Sequence, residues 1–235
     1  MRYPRVDTVL KYSHNNIMII QTISLHENDY TITKSGIGEQ PILIIGIGTL
    51  LNRTLSSNIR NNFTIYSSDL YWDGDNTVAE MSMDTLANDI ALLKDELKLK
   101  RPILMAHSAY GPLAIHTAKL FPGVFAGVIM IGSPPGWNQE IITKNQAFFE
   151  VDADAARKQV DLEQKSKFTQ NDFASMDPYE QFLTLYADYD RARYWYNPNY
   201  DSRPLWDGLS VNMPVFSAYF DQILPIYDVT HNIES

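Results

Sequence analysis

PILMAHSAYG (residues 102–111) is a run of apolar residues that stops at Ser108 and continues into a helical pattern. This layout is typical of a nucleophile elbow, a strand–turn–helix in which a strained serine presents its Oγ above the sheet. Strand and helix pass close together there, and the small residues Ala106 and Ala109 meet that requirement. Tyr110 departs from the Gly-x-Ser-x-Gly pattern, which has glycine at that position and at position 106. The stretch alone fits both a nucleophilic serine and an ordinary strand-ending serine.

Apolar runs of strand length lie on both sides of this turn along the chain. They occupy residues 16–24, 29–36, 41–46, 63–69, 102–107 and 127–135. Helical patterns follow several of these runs, and residues 82–98 show the clearest one, with leucine and isoleucine side chains on a single face. Alternation of buried strands with surface helices predicts an α/β fold with a mostly parallel sheet that is covered on both faces.

The chain changes character after Pro135. Residues 137–208 carry mixed polar helical patterns and an aromatic, turn-rich stretch, RYWYNPNYDSRPLW, but no strong strand run. We therefore predict three parts: a core over residues 1–136, a helical cap over residues 137–208, and an incomplete return to the core over residues 209–235.

Composition limits the possible functions. The formal net charge of −9 argues against nucleic acid as a partner, because phosphate recognition needs clustered lysine and arginine. Cysteine is absent, and the spacing of histidines and carboxylates suggests no metal site. No apolar segment approaches the length of a membrane span or a signal peptide. We expect a soluble, cytoplasmic protein without a cofactor; its oligomeric state is open.

An ordered series of segments resembles the α/β-hydrolase family over essentially the whole chain. The family's strand, glycine turn and strand into the oxyanion loop are matched by YTITKSGIGEQPILIIGIG. The later strands, the elbow and its helix are matched by YSSDLYWDG, ILMAHSAYGPLAIHTAKLFP and VIMIGSPP. The elbow, the SPP turn and the helical stretch after it look closest to proline-iminopeptidase-like serine hydrolases that carry a cap.

This resemblance implies roles for three residues near the elbow. Ser108 would be the nucleophile, and the backbone N–H groups of Ala109 and Ile47 would be the two oxyanion donors. The family usually has His-Gly where this chain has Ile45-Gly46. From the serine, a family triad continues along the chain to an acid and then to a histidine.

The acid that the resemblance favours is Asp221, in MPVFSAYFDQILP (residues 213–225). We interpret this stretch as a strand that begins at Pro214 and leads into the family's acid-bearing turn. A helix is the alternative, because its apolar residues also recur at i, i+3 and i+4. In a helix, Asp221 would lie beside the apolar face and do no chemistry.

The general base is not evident. After Ser108 the sequence contains only His116 and His231, and His231 follows Asp221 too closely for the intervening helix and strand. We therefore expect the triad histidine and the last strand–helix unit to be missing, so that the chain looks C-terminally incomplete. His107 and His116 are interpreted as structural, since consecutive strand residues face opposite sides and His116 lies well inside the helix.

Other polar and aromatic groups have two interpretations. A loop before the elbow contains three carboxylates that we interpret as turn-fixing, with a contact at the rim of the site as the alternative, because the family acid follows the serine: Asp69, Asp73 and Asp75. Cap carboxylates are candidates for binding a substrate amine or form a solvated helix face: Glu150, Asp152 and Asp154. Cap aromatics either line an acyl pocket or fasten the cap: Tyr194, Trp195, Tyr196 and Trp206.

The sequence thus favours a serine hydrolase that cleaves a small ester or amide through an acyl-enzyme on Ser108. Its substrate would be a small molecule or a short peptide, with an aminopeptidase-like activity implied by the resemblance. The alternative is a truncated or pseudo-hydrolase that lacks catalysis and only binds a ligand or partner.

Overall fold

The apolar runs form one sheet in the computed structural model, which describes residues 8–13, 16–26, 28–72 and 80–229. Seven strands occur within these residues: β1 Thr8–Ser13, β2 Asn16–Leu25, β3 Asn28–Ser35, β4 Gln40–Ile45, β5 Phe63–Ser68, β6 Ile103–His107 and β7 Gly127–Ile131. Their order across the sheet is β1-β2-β3-β5-β4-β6-β7. Sequence analysis did not predict β1, whereas β2–β7 correspond to the six predicted runs.

Strand directions follow from the pairings. The strands β4, β5, β6 and β7 pair in parallel, while β3 is antiparallel to both β5 and β2. Because two reversals restore the direction, β2 runs with the parallel set, and β1 is antiparallel to β2. Among the seven described strands, five therefore run in one direction. The predicted α/β fold with a mostly parallel sheet is confirmed.

Helices cover the sheet in the unit formed by residues 1–137 and 214–235, as far as these residues are described. They are α1 Gly48–Thr54, α2 Ser57–Asn62, α3 Met83–Glu96 and α4 Gly111–Leu120. The face of α3 that the sequence indicated is buried, with Leu86, Ile90 and Leu93 at most 1% exposed. Burial of this apolar stripe against the sheet is what stabilises a helix of such polar composition.

Residues 138–213 form a second unit, whose regular secondary structure is helical. It contains α5 Gln139–Asp152, α6 Ala155–Lys165, α7 Gln170–Ser175, α8 Pro178–Thr184 and α9 Arg191–Tyr194, with a π-helical turn at Leu185–Tyr189. Side-chain oxygens of Asn138, Asp154, Thr169 and Asp177 cap the first four helices. A role of this unit as a cap stays a prediction.

Ion pairs connect the helices of the second unit. The Asp161 carboxylate accepts hydrogen bonds from Arg193 and Lys165, and the guanidinium of Arg157 donates to the backbone carbonyls of Ala192 and Trp195. Asp161 is 5% exposed, so these bonds compensate the desolvation of its charge.

The segment that returns to the first unit is helical, and its interpretation as a strand is wrong. The helix α10 spans Met213–Ala218 and continues as a π-helical turn at Tyr219–Ile223 and a 3-10 turn at Leu224–Ile226. Its buried side chains recur at helical spacing: Val215, Tyr219, Ile223 and Leu224. Pro214 is compatible with this helix because it lies in the first turn, where its missing N–H needs no partner.

In the described parts of the chain, no helix is long and apolar enough to cross a membrane.

Candidate active site

Ser108 lies on a sharp turn between β6 and α4. The strand ends at His107, residues Ser108–Tyr110 form one 3-10 turn, and α4 begins at Gly111. The backbone of Ser108 has φ +55°, a left-handed conformation that costs a non-glycine residue about 1–2 kcal/mol. Ala106 and Ala109 are at most 1% exposed, so larger side chains would not fit on either side. The strained turn on which the prediction depends is therefore present.

The loop after β4 emerges beside this turn. The strands β4 and β6 are parallel neighbours, with Ile45 opposite Ala106, so the residues that follow them meet at one edge of the sheet. Gly46 has φ +89°, and its carbonyl accepts a hydrogen bond from Gly48 N at 2.9 Å. This turn makes Ile47 the residue that precedes α1. Backbone N–H groups at a helix start have no partner within the helix and can bind an anion.

Tyr110 occupies the space that glycine at position 46 leaves open. A Cβ atom built on Gly46 would lie 2.4 Å from Cγ of Tyr110, closer than any real contact. The ring therefore packs directly on the backbone of the loop that contains Ile47. The departure of Tyr110 from the elbow pattern is compatible with the fold because the facing residue has no side chain.

Asp69 supports the same loop from β5. Its Oδ1 accepts a hydrogen bond from Thr49 N at 2.8 Å, at the start of α1. A carboxylate at this position satisfies a free N–H and interacts favourably with the helix dipole. The turn-fixing interpretation of Asp69 is confirmed, whereas Asp73 and Asp75 lie outside the described residues.

Two described histidines, His107 at the end of β6 and His116 in α4, were interpreted as structural. Burial lowers the pKa of His107, so its neutral form is favoured. In α4, Nε2 of His116 lies 2.6 Å from Oδ1 of Asp84, and its Nδ1 lies 3.0 Å from the hydroxyl of Tyr227. These contacts connect α4 with α3 and with the end of the returning segment, which confirms the structural interpretation of His116. His231 lies outside the described residues.

Several of the candidate substrate groups of the second unit have partners within that unit. Oδ1 of Asp154 accepts a hydrogen bond from Arg157 N, and Glu150 lies 3.8 Å from Arg193. Tyr194 stacks on Tyr186 with ring centroids 4.3 Å apart. These contacts favour the structural interpretation of both sets, although Tyr196 is 98% exposed.

An apolar concavity of about 330 Å³ lies at the other end of α4. It is lined by Ile115, Ala118, Lys119, Pro122 and Val128. Ala118 is ten residues from Ser108, which corresponds to about 15 Å along a helix. The concavity is therefore not the space into which the Ser108 hydroxyl would point.

Known proteins support the architecture. No family model matches the chain. It is similar to the AB hydrolase superfamily protein YclE of Bacillus subtilis (strain 168), with 24% identity over 197 residues, 82% of this chain and 69% of the relative. A solved structure of an alpha/beta fold family hydrolase from Bacillus anthracis str. Sterne matches 95% of this chain and 76% of that one, with a TM-score of 0.51 and 14% identity. The chain has the α/β-hydrolase fold. Cfl2 from Burkholderia cenocepacia matches 75% of this chain and 69% of that one, with a TM-score of 0.46 and 18% identity.

In the α/β-hydrolase fold the nucleophile lies on the turn from a central strand to a helix, which is the position of Ser108. Asp221 was assigned as the triad acid because it was expected to follow a strand, and it does not. It is an exposed residue of the π-helical turn at Tyr219–Ile223, not the end of a strand. Its assignment as triad acid therefore loses its structural argument and stays an untested prediction.

Tyr219 is the site neighbour that sequence analysis missed. It is fully buried, and its hydroxyl donates a hydrogen bond to the backbone carbonyl of Ala109 at 3.0 Å. The helical spacing of the apolar residues in 213–225 was the available signal. It indicated a buried residue at position 219, but it did not indicate contact with the elbow.

Proposed function

We propose that the chain is a serine hydrolase that cleaves a small ester or amide through an acyl-enzyme on Ser108. The single observation that carries this proposal is the left-handed backbone of Ser108 at the strand-to-helix turn, φ +55°, beside the loop of Gly46 and Ile47. Strained residues of this kind cluster at active sites, and among the described non-glycine residues with positive φ Ser108 is the one that lies on a strand-to-helix elbow. The superfamily name of the relative YclE supports the same class of reaction.

The proposed reaction begins with attack of the Ser108 Oγ on the substrate carbonyl carbon. Negative charge then develops on the carbonyl oxygen, and the N–H groups of Ala109 and Ile47 would stabilise it. Both follow parallel neighbouring strands, β4 and β6, whose ends lie at the same edge of the sheet. Removal of one such donor typically costs about 3 kcal/mol of transition-state stabilisation.

Proton transfer from Ser108 requires a general base, and we assign none. His107 precedes the serine on the strand and faces the other side of it. Asp221 remains a candidate acid without a histidine to orient. Without a general base, a preorganised oxyanion site still accelerates such a reaction about 10³–10⁴-fold over water. We therefore expect a slow reaction from the residues described.

The finer assignment to proline-iminopeptidase-like enzymes rests on the resemblance of the AHSAYG elbow, the SPP turn and the helical stretch after it. An aminopeptidase needs a carboxylate that binds the substrate amine. Asp154 and Glu150 have partners of their own, as described above. A small ester or amide is therefore the substrate class that we propose, without a choice of leaving group.

A fluorophosphonate probe tests the proposal. We expect slow labelling by excess probe, mapped by mass spectrometry to Ser108 and absent from Ser108→Ala. The urea-unfolded chain provides the background, because a serine without its fold has no oxyanion site.

A second candidate is a non-catalytic protein of the same fold that binds a ligand or partner. It is favoured by the contacts of His116 with Asp84 and Tyr227 and by the burial of His107, since no described histidine forms a hydrogen bond with Ser108. Labelling of the folded chain no faster than that of the unfolded chain would refute the hydrolase and favour this candidate.

A further inference from the structure

Tyr219 connects the returning helix to the turn after the proposed nucleophile. The residue is 0% exposed, and its hydroxyl lies 3.0 Å from the carbonyl oxygen of Ala109, 110 positions earlier in the chain. Burial raises the pKa of the Tyr219 hydroxyl, so the group keeps its proton and remains a donor. This hydrogen bond holds the peptide group that immediately follows the Ala109 N–H.

The ring of Tyr219 extends the connection to the second loop. It stacks on the ring of Tyr110, with centroids 5.7 Å apart and planes 13° apart. Both rings meet Trp72 edge-on, at 5.0 and 4.9 Å. Tyr110 in turn packs on the bare Cα of Gly46, the residue before Ile47. One side chain therefore acts on both loops, through its hydroxyl and through its ring.

The backbone at Tyr219 is itself unusual. Helix α10 ends at Ala218, and a π-helical turn begins at Tyr219. Single π turns inside helices are rare and occur frequently at functional sites. The wider turn begins at the residue that contacts the elbow.

We propose that Tyr219 is a positioning residue, which sets the separation of the N–H groups of Ala109 and Ile47. An oxyanion can accept from both groups only when each lies about 2.7–3.1 Å from it, so small displacements of either loop matter. This inference rests on the proposed function for its catalytic meaning, whereas the control of both loops by Tyr219 is a separate physical statement.

Hydrogen exchange tests the control of both loops without any need for activity. Tyr219→Phe removes one hydroxyl, and Tyr227→Phe is the matched control, because it removes a hydroxyl of the same segment that contacts His116 instead. In Tyr219→Phe we expect exchange to rise about fivefold in peptides that cover residues 109–113, as for the loss of one buried hydrogen bond. In Tyr219→Leu, which also removes the ring that stacks on Tyr110, we expect exchange to rise in residues 46–51 as well. Residues 83–96 of α3 are the internal reference for a general loss of stability.

Three results of this experiment would overturn the inference. One is unchanged exchange of residues 109–113 in Tyr219→Phe, and another is an equal rise in Tyr227→Phe or in the α3 reference. The third is a rise in Tyr219→Leu that is confined to residues 109–113, because the inference requires that Tyr219 controls the loop of Ile47 as well.

Probe kinetics then test the catalytic meaning. For fluorophosphonate labelling of Ser108, we expect Tyr219→Phe to lower the maximal rate about tenfold, the order of a weakened oxyanion donor, with an unchanged half-saturating probe concentration. A change in half-saturation alone would contradict positioning. If the wild-type chain is not labelled, the proposed function fails, and the exchange result still decides whether Tyr219 controls the two loops.

Discussion

Substitution of Gly46 by alanine tests the packing that joins the two loops of the candidate site. Gly46 has φ +89°, and a left-handed backbone costs alanine about 1–2 kcal/mol. The added Cβ would also lie 2.4 Å from Cγ of Tyr110, and overpacking of a core typically costs about 1–3 kcal/mol. We therefore expect Gly46→Ala to lower the free energy of unfolding by about 2–5 kcal/mol.

Gly123→Ala is the matched control. Gly123 has φ +78° in the same unit, so alanine there has a similar backbone strain, but no atom lies within 4 Å of the added Cβ. Its cost should be about 1–2 kcal/mol. The difference between the two variants isolates the contact with Tyr110.

Urea unfolding followed by tryptophan fluorescence measures both variants. We also expect Tyr110→Ala to remove most of the excess cost of Gly46→Ala over Gly123→Ala in a double-mutant cycle, because it deletes the ring atoms at 2.4 and 2.5 Å and leaves the Cβ contact at 3.0 Å. Equal costs of Gly46→Ala and Gly123→Ala in the presence of Tyr110 would refute the packing argument.

Three further substitutions have defined outcomes. Ser108→Gly should raise the free energy of unfolding by about 0.5–1 kcal/mol, and with it the urea midpoint, because relief of the left-handed strain exceeds the cost of glycine's freedom in the unfolded chain. A lower midpoint would contradict the strain. Asp69→Ala should cost about 1 kcal/mol in the same assay by removing the acceptor of Thr49 N, and Asp69→Asn, which retains an acceptor, should cost less. Burial holds the pKa of His107 below its ordinary 6.5, so the unfolded chain binds the proton more readily and stability falls as the pH falls through that value. His107→Gln should reduce the slope of stability between about pH 5 and 7, and an unchanged slope would show that His107 does not titrate differently on folding.

Much of the fold could be predicted from the sequence because its central strands are short apolar runs bounded by turn residues. The runs at 41–46 and 102–107 became β4 and β6 with shifts of one residue at their ends. The elbow could be predicted as well, since only small residues fit beside a strand that turns directly into a helix. Ser108 has the strained backbone that this local pattern requires.

Whether the returning segment, residues 213–225, is a helix or a strand could not be predicted in the same way. A run such as VFSAYF has the length and apolar content of a strand and the spacing of a helix, and periodicity does not separate the two. The helix makes contacts that are distant in sequence, such as the hydrogen bond from Tyr219 to Ala109, and these cannot be inferred from the segment alone. The partner of Tyr110 was invisible for the same reason, because Gly46 lies 64 positions earlier and its neighbours in the chain give no sign of the contact.

The fit between Tyr110 and Gly46 has a consequence for finding related genes. A text search for Gly-x-Ser-x-Gly passes over this chain, because Ala106 and Tyr110 stand where the pattern has glycine, and Tyr110 packs on Gly46 of the facing loop. A search for glycine on the loop after β4 together with an aromatic residue two positions after the serine would retrieve it. Such elbows are then better identified by two short sequence motifs that lie far apart in the chain than by one.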